Sequence, residues 1–217
     1  MSAAVHSQGS ETAELRLRVA VFNLLPAAYV HPERLADFLP AGLSKHLQQE
    51  LLNCRRLRYR LSQRILAAFC SEVCDVAPFS TPERQIALRG RTAIARLARL
   101  AGAAWHGGFL RTVIDGAALR EVLERIGSEA CDFALARLDQ NAPLCGEIAL
   151  DDLRQVVDRD GIGCLKAWSA AQPKGLRERI SLMISPVEWG DGTPEPKHQA
   201  RGPGIVREAA LELQRHD

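Results

Sequence analysis

Apolar residues recur along this chain at steps of three and four, and proline and glycine cut the pattern into short pieces. Leu15 to Tyr29 is apolar but interrupted by Pro26, which fits a short helix or an extended entry segment. His31-Pro32-Glu33 reads as a helix start, with proline in the first turn and an acid at the positive dipole end, and Pro40 stops that helix near Leu39. The longest uninterrupted pattern runs from Ser44 to Phe69. There Leu47, Leu51, Cys54, Leu61 and Ile65 define one buried stripe, and Arg55, Arg56, Arg60 and Arg64 occupy the other face. Thr81-Pro82-Glu83 opens a second strong helix with Thr81 as N-cap; its stripe is Ile86, Ile94, Leu97 and Leu100 or Ala101, weakened at Gly90.

Beyond it, Gly102 and Gly107-Gly108 punctuate a turn around Trp105 and His106, and Phe109 to Ile114 reads as a further short helix. Asp115 can cap the next, with Leu119, Val122, Leu123 and Ile126 as its apolar side. Gly127 ends that helix, and Ser128 caps another reaching about Leu138. Asn141 to Gly146, with Pro143, reads as a loop. Asp151–Val157 and Ile162–Ala171 read as helical segments around interruptions at Gly161 and Gly163. Pro173 starts one more helix ending near Ile184, although the alternation of Ile180, Leu182 and Ile184 also suits a short strand. The expected organisation is a disordered tail over 1–12, a single helical domain over 13–185, a Pro/Gly-rich linker over 186–204 and a short C-terminal helix over 205–217. The fold class is all-α: a compact multi-helix globule of short crossing helices, with at most a minor short-strand element.

Composition supports helices. Aromatic residues are only 5% of the 217, while Leu, Ala and Arg dominate, and strands favour β-branched and aromatic side chains instead. A net charge of +2 does not demand nucleic acid as a partner. The first residues, Met1 to Thr12, lack a basic start leading into an apolar run, and no apolar stretch approaches the roughly 20 residues that span a bilayer. The expected location is therefore the cytoplasm, without direct membrane insertion.

Candidate chemistry is sparse. Cys70 and Cys74, four apart, would share a helix face, but no second Cys or His pair follows at zinc-binding spacing, so they read as small buried hydrophobes. Asp158-Arg159-Asp160-Gly161-Ile162 has the look of a calcium loop until Gly161 is aligned with the invariant glycine. Val156 and Ala167 then fall at the first and last ligand positions, and neither can coordinate, so the segment reads as a helix break. His106-Gly107-Gly108 resembles an oxyanion loop without the Gly-x-Ser-x-Gly elbow such loops serve. His106 reads as a half-buried histidine at a helix junction, hydrogen-bonding a freed carbonyl. With no Walker loop and no Gly-x-Gly-x-x-Gly after a strand, the expectation is no catalytic residue, no cofactor and no metal.

The most suggestive patch is Arg55, Arg56, Tyr59, Arg60 and Arg64 on one helix. It can serve as a solvated face, as a dock for an acidic protein surface, or as a nucleic-acid site with Tyr59 stacking on bases.

A likeness runs along most of the chain. Phe22-Asn23-Leu24-Leu25-Pro26-Ala27-Ala28-Tyr29-Val30-His31, continuing to Leu35, resembles the opening of the type III secretion sorting-platform K proteins, the SctK/YscK/PscK family. Leu97 to Leu123 is similar too, with a small-residue run, His106-Gly107 and a helix carrying Arg111. So is Ala167-Trp168-Ser169-Ala170-Ala171 followed by Pro173 and Arg179-Ile180-Ser181-Leu182. The resemblance implies a helical, non-enzymatic cytoplasmic adaptor without a cofactor, peripheral to the inner membrane through protein contacts. Its implied partners are the cytoplasmic domain of the ring protein SctD and the SctQ pods, with SctL and the ATPase SctN further along. The alternative expectation is a nucleic-acid-binding regulator using the Arg55–Arg64 helix.

Overall fold

The computed structural model describes residues 2–40, 42–75, 77–137 and 148–216, with side chains from residue 12 onward except at 77 and 78. Among the described residues the protein is all-α, with thirteen α-helices and no strand. They are α1 (Ser2–Leu24), α2 (Pro32–Ala36), α3 (Lys45–Asn53), α4 (Arg55–Phe69), α5 (Pro82–Ala87), α6 (Arg91–Trp105), α7 (Gly107–Leu110), α8 (Gly116–Ile126), α9 (Ser128–Ala136), α10 (Leu153–Ala170), α11 (Lys174–Leu182), α12 (Pro186–Trp189) and α13 (Pro196–Arg215). No helix of the described residues is long and apolar enough to cross a membrane. Contacts divide the chain into two compact units, residues 1–91 with 172–187, and residues 92–171 with 188–217.

The first unit is built where α4 meets the segment after α1. Leu61 and Ile65 of α4 pack with Ala27, Val30, Leu35, Phe38 and Leu182. Phe22, near the end of α1, stacks on Tyr29 with ring centres 5.2 Å apart and meets the edge of Phe79 at 5.6 Å. Asn23 pairs with Cys74 like one backbone strand with another: its Nδ2 donates to the Cys74 carbonyl at 2.7 Å, and the Cys74 N–H donates to its Oδ1 at 2.9 Å. Arg179 on α11 is buried and donates to the carbonyls of Glu72 and Gly175 at 2.6 and 2.9 Å, and to that of Asn23 at 3.4 Å.

The second unit rests on α10, which packs along α13 and also meets α8. α13 buries His198, Gly202, Ile205, Val206, Ala209, Ala210 and Leu213, a stripe at steps of three and four. α6 crosses α10 through glycine. A Cβ on Gly102 would lie 1.9 Å from the Val157 carbonyl oxygen, and one on Gly161 would lie 2.0 Å from that of Ala98. No side chain separates the two backbones at this crossing, so both positions require glycine.

Several expectations change. The helix expected over Ser44–Phe69 is two helices: Cys54 is extended (φ −73°, ψ 110°), its N–H closing α3 on Glu50 and its carbonyl starting α4 through Arg58. α3 buries nothing and Leu47 is exposed, so no packing holds the two in one line. Gly90, at φ 86°, separates α5 from α6, and Thr81 makes no side-chain cap. Asp115 caps α8 as expected, accepting from Ala117 and Ala118, whereas α9 starts from Gly127 (φ 86°) and Ser128 is its first residue. The loop expected over 141–146 and the helix end at Leu138 lie outside the described residues. The segment read as a break at Asp158–Ile162 lies inside α10, which runs through Gly161 and Gly163, because tertiary contact outweighs the roughly 1 kcal/mol that each glycine costs a helix. Ile180–Ile184 lies in α11 and the turn after it, so the strand option drops out. α1 begins at Ser2, inside the expected tail, and α13 runs unbroken through the expected boundary at Gly204, with Pro203 inside it.

Candidate interaction surface

α4 buries Leu61, Ser62 and Ile65 and turns the rest of its first three turns outward. Arg55, Arg56, Tyr59, Arg60 and Arg64 are exposed and Arg58 is half-buried. Among the described residues none of these five arginines has an ion-pair partner. The first turn holds Arg55, Arg56 and Arg58 and no acid, and Cys54 makes no side-chain cap, so positive side chains sit at the positive end of the helix dipole. That arrangement costs the free protein stability and favours a nearby carboxylate.

Beside this face lies an open groove of about 1150 Å³ within the first unit. Its α1 wall is Leu17, Ala20, Val21 and Leu24, and its α4 wall runs from Cys54 to Arg60. Leu17 is 65% exposed, Leu24 54%, Val21 41% and Leu57 40%, so aliphatic side chains of both walls lie open at one place. The structure thus brings together Arg55, Arg56, Tyr59 and Arg60, and leaves Arg64 outside the groove one turn further on. The apolar half was missed in the sequence, where Leu17 and Leu24 lie in the apolar segment Leu15 to Tyr29 without being singled out. Their exposure depends on where α1 lies against α4, which periodicity does not encode.

A second groove, in the second unit, is bordered by α6, α9 and α13 and by charges of both signs. Its three arginines are paired within the unit: Arg96 with Glu129, Arg137 with Glu208, and Arg215 with Glu212 at 3.0 Å. It offers no surplus positive charge to an acidic partner.

His106 differs from its expected setting. It is 4% exposed, and its Nε2 lies 2.8 Å from Oδ2 of Asp160, itself buried, so it is neither half-buried nor partnered by a freed carbonyl. His198 of α13 lies 3.2 Å from the other oxygen of Asp160 and stacks on Trp105 at 4.6 Å. Buried on all three sides, this cluster ties the α6–α7 junction to α10 and α13 and presents no reacting atom to solvent. The described residues hold no group of three or more His, Cys, Asp or Glu arranged for a metal. Cys70 caps the end of α4 and Cys74 lies outside any helix, so the two thiols do not share a helix face. Burial pushes the Cys74 thiol up to about 11.

The cluster makes the second unit acid-sensitive. Burial lowers the pKa of His198, opposed by the Asp160 charge. Burial would raise the Asp160 carboxyl, but the hydrogen bond from His106 and the Arg159 guanidinium hold it well below the usual carboxylate range. Both groups bind fewer protons folded than unfolded, so stability falls as pH falls, first below about 6.5 for His198 and then below about 3.9 for Asp160. The urea midpoint is expected to drop between pH 7 and pH 5.5, and His198→Gln to flatten that drop. An equal slope in the variant would assign the sensitivity elsewhere.

Comparison with known proteins places these features. A family model described as YOP proteins translocation protein K (YscK) matches residues 17–197, which include both walls of the α1–α4 groove. Two curated proteins called Nodulation protein NolU, from Rhizobium fredii and from Sinorhizobium fredii (strain NBRC 101917 / NGR234), are each 30% identical over 182 residues, covering 82% of this chain and 81% of the relative. No solved structure matches.

Proposed function

The chain belongs to the YscK family and is a type III secretion protein, and from that premise we propose that it is a non-enzymatic cytoplasmic adaptor of the sorting platform, linking the SctD cytoplasmic domain to SctQ-containing pods. SctL and the ATPase SctN are reached only through those contacts, and the inner membrane only through SctD. The observation that carries the reading is the α4 face, where Arg55, Arg56, Arg60 and Arg64 are exposed without a counter-charge among the described residues. Unpaired like charges on one face repel, and an acidic protein surface relieves that repulsion while steering encounter. The carboxylates of SctD or SctQ are the proposed source.

The test is capture of the tagged full chain from cells that assemble the injectisome. Wild type is expected to bring down SctD and SctQ. Arg56→Glu with Arg60→Glu is expected to lose one of them by about tenfold or more and keep the other, because two separate surfaces serve two partners. Wild type that captures neither defeats the adaptor reading. A double reversal that changes neither capture nor secretion removes the α4 face from it.

A further inference from the structure

We propose that the groove between α1 and α4 receives an amphipathic helix of a partner, a leucine-type stripe seated against Leu17, Val21, Leu24 and Leu57, with flanking carboxylates reaching Arg55, Arg56 and Arg60. The inference rests on the reading that the α4 face docks a partner, and it adds what the docked element is. Two observations meet at one place. The walls expose aliphatic side chains that gain by leaving water, and the rim carries guanidinium groups with no acid to pair with among the described residues.

Each half narrows the occupant. An acidic surface without apolar side chains would pair with the arginines and leave Leu17 and Leu24 wet. An apolar helix without acids would bury guanidinium groups unpaired, which is costly. Nucleic acid would engage the arginines and stack on Tyr59, but aliphatic walls offer its polar backbone nothing, and among the described residues Tyr59 is the only aromatic that lines the groove. From Leu17 to Leu24 the α1 wall spans two turns, about 10 Å, which matches an i, i+3, i+7 stripe on an incoming helix. Carboxylates on such a helix also lie near the first turn of α4, where Arg55, Arg56 and Arg58 crowd the positive dipole end.

The experiment is fluorescence anisotropy on the full chain with three fluorescein-labelled helical peptides of about 18 residues. The parent carries Leu at i, i+3 and i+7 with Glu on both flanks; one control replaces Glu by Gln, the other replaces Leu by Ser. The parent is expected to bind about tenfold or more tighter than either control, and to weaken several-fold between about 50 and 300 mM salt while the Gln peptide does not. Leu17→Ser with Leu24→Ser, changes at exposed positions that leave the circular dichroism spectrum unchanged, is expected to weaken the parent about tenfold. Equal affinity of the three peptides, no binding of the parent at about 100 μM, or no effect of the leucine changes overturns the proposal. So does a labelled single-stranded oligonucleotide that binds more tightly than the parent, which would assign the face to nucleic acid. The titration needs neither secretion partner. Capture of SctD and SctQ without peptide binding therefore removes the groove and keeps the adaptor, and peptide binding without capture does the reverse.

Discussion

Gly161→Ala is expected to unfold the second unit. In an exposed helix interior the same change adds about 1 kcal/mol, because alanine is the better helix former. At Gly161 the new methyl would sit 2.0 Å from the Ala98 carbonyl oxygen and 2.8 Å from its carbon, with the Gly102 nitrogen at 3.1 Å. All three are backbone atoms of α6, so no rotamer change clears them, and the two helices must part along their whole contact. Parting forfeits dispersion contacts that fall away within about 1 Å, and a loss of about 4 kcal/mol or more is expected. Gly102→Ala meets the Val157 carbonyl oxygen at 1.9 Å and should fail likewise. Gly204→Ala is the control: it lies inside α13 with nothing within 4 Å, so propensity alone decides and the protein should gain about 0.5–1 kcal/mol. Urea unfolding followed by circular dichroism separates the signs, and a Gly161→Ala midpoint at or above wild type would refute the close crossing.

The same glycines explain what the sequence concealed. Gly161 and Gly163, inside a run with Asp158 and Asp160, carry every local sign of a break, and the periodicity of Val157, Cys164, Leu165 and Trp168 through them reads as two short segments. The helix continues because α6 and α13 demand flat surfaces there: Gly161 faces α6, and a Cβ on Gly163 would lie 2.7 Å from the His198 ring. Pro196 to Gly204 fails for a related reason. Its prolines and glycines read as a linker, yet Pro196 sits in the first turn of α13, where a missing N–H costs nothing, and Gly202 lets α13 approach Cys164 of α10. Local propensity is a weak prior when a partner helix lies within backbone contact, and the partner is far away in sequence.

Legibility of the interaction surface divides by type of residue. The arginines announce themselves, because charges at steps of four on one helix have few destinations other than solvent or a partner. Leu17, Leu24 and Leu57 are silent in a single sequence, since a leucine on a helix is usually inside and only its neighbours say otherwise. His106 gave half its signal: its place at a helix junction was readable, whereas Asp160 and His198 are 54 and 92 positions away and come together only through α10 and α13. The family likeness carried more of the functional reading than any local motif, although the stretches that carry it, 22–35, 97–123 and 167–182, leave out the arginine wall of the groove.

Arg179→Met is expected to loosen the first unit as severely as Gly161→Ala loosens the second. Arg179 is 1% exposed, and its guanidinium joins three chain segments by donating to carbonyls of Glu72, Gly175 and Asn23. Asn23 lies in the last turn of α1, where carbonyls lack helical partners and collect negative partial charge, so a cation there is doubly favoured. Methionine keeps much of the volume but strands those carbonyls, and hydrogen bonds to a charged group contribute about 1.5–3 kcal/mol each; a net loss of about 3–5 kcal/mol is expected. Arg179→Lys should recover less than half, since one ammonium cannot span groups that a planar fork reaches from two nitrogens. The damage has a local reporter. Cys74, 6% exposed and paired with Asn23 through both its backbone groups, is expected to resist N-ethylmaleimide in the native protein. In Arg179→Met it is expected to label at urea concentrations below the unfolding midpoint, because the Glu72 and Asn23 anchors have gone. Wild-type protection of Cys74 in that variant, with an unshifted midpoint, would show that the three carbonyls are held without the arginine.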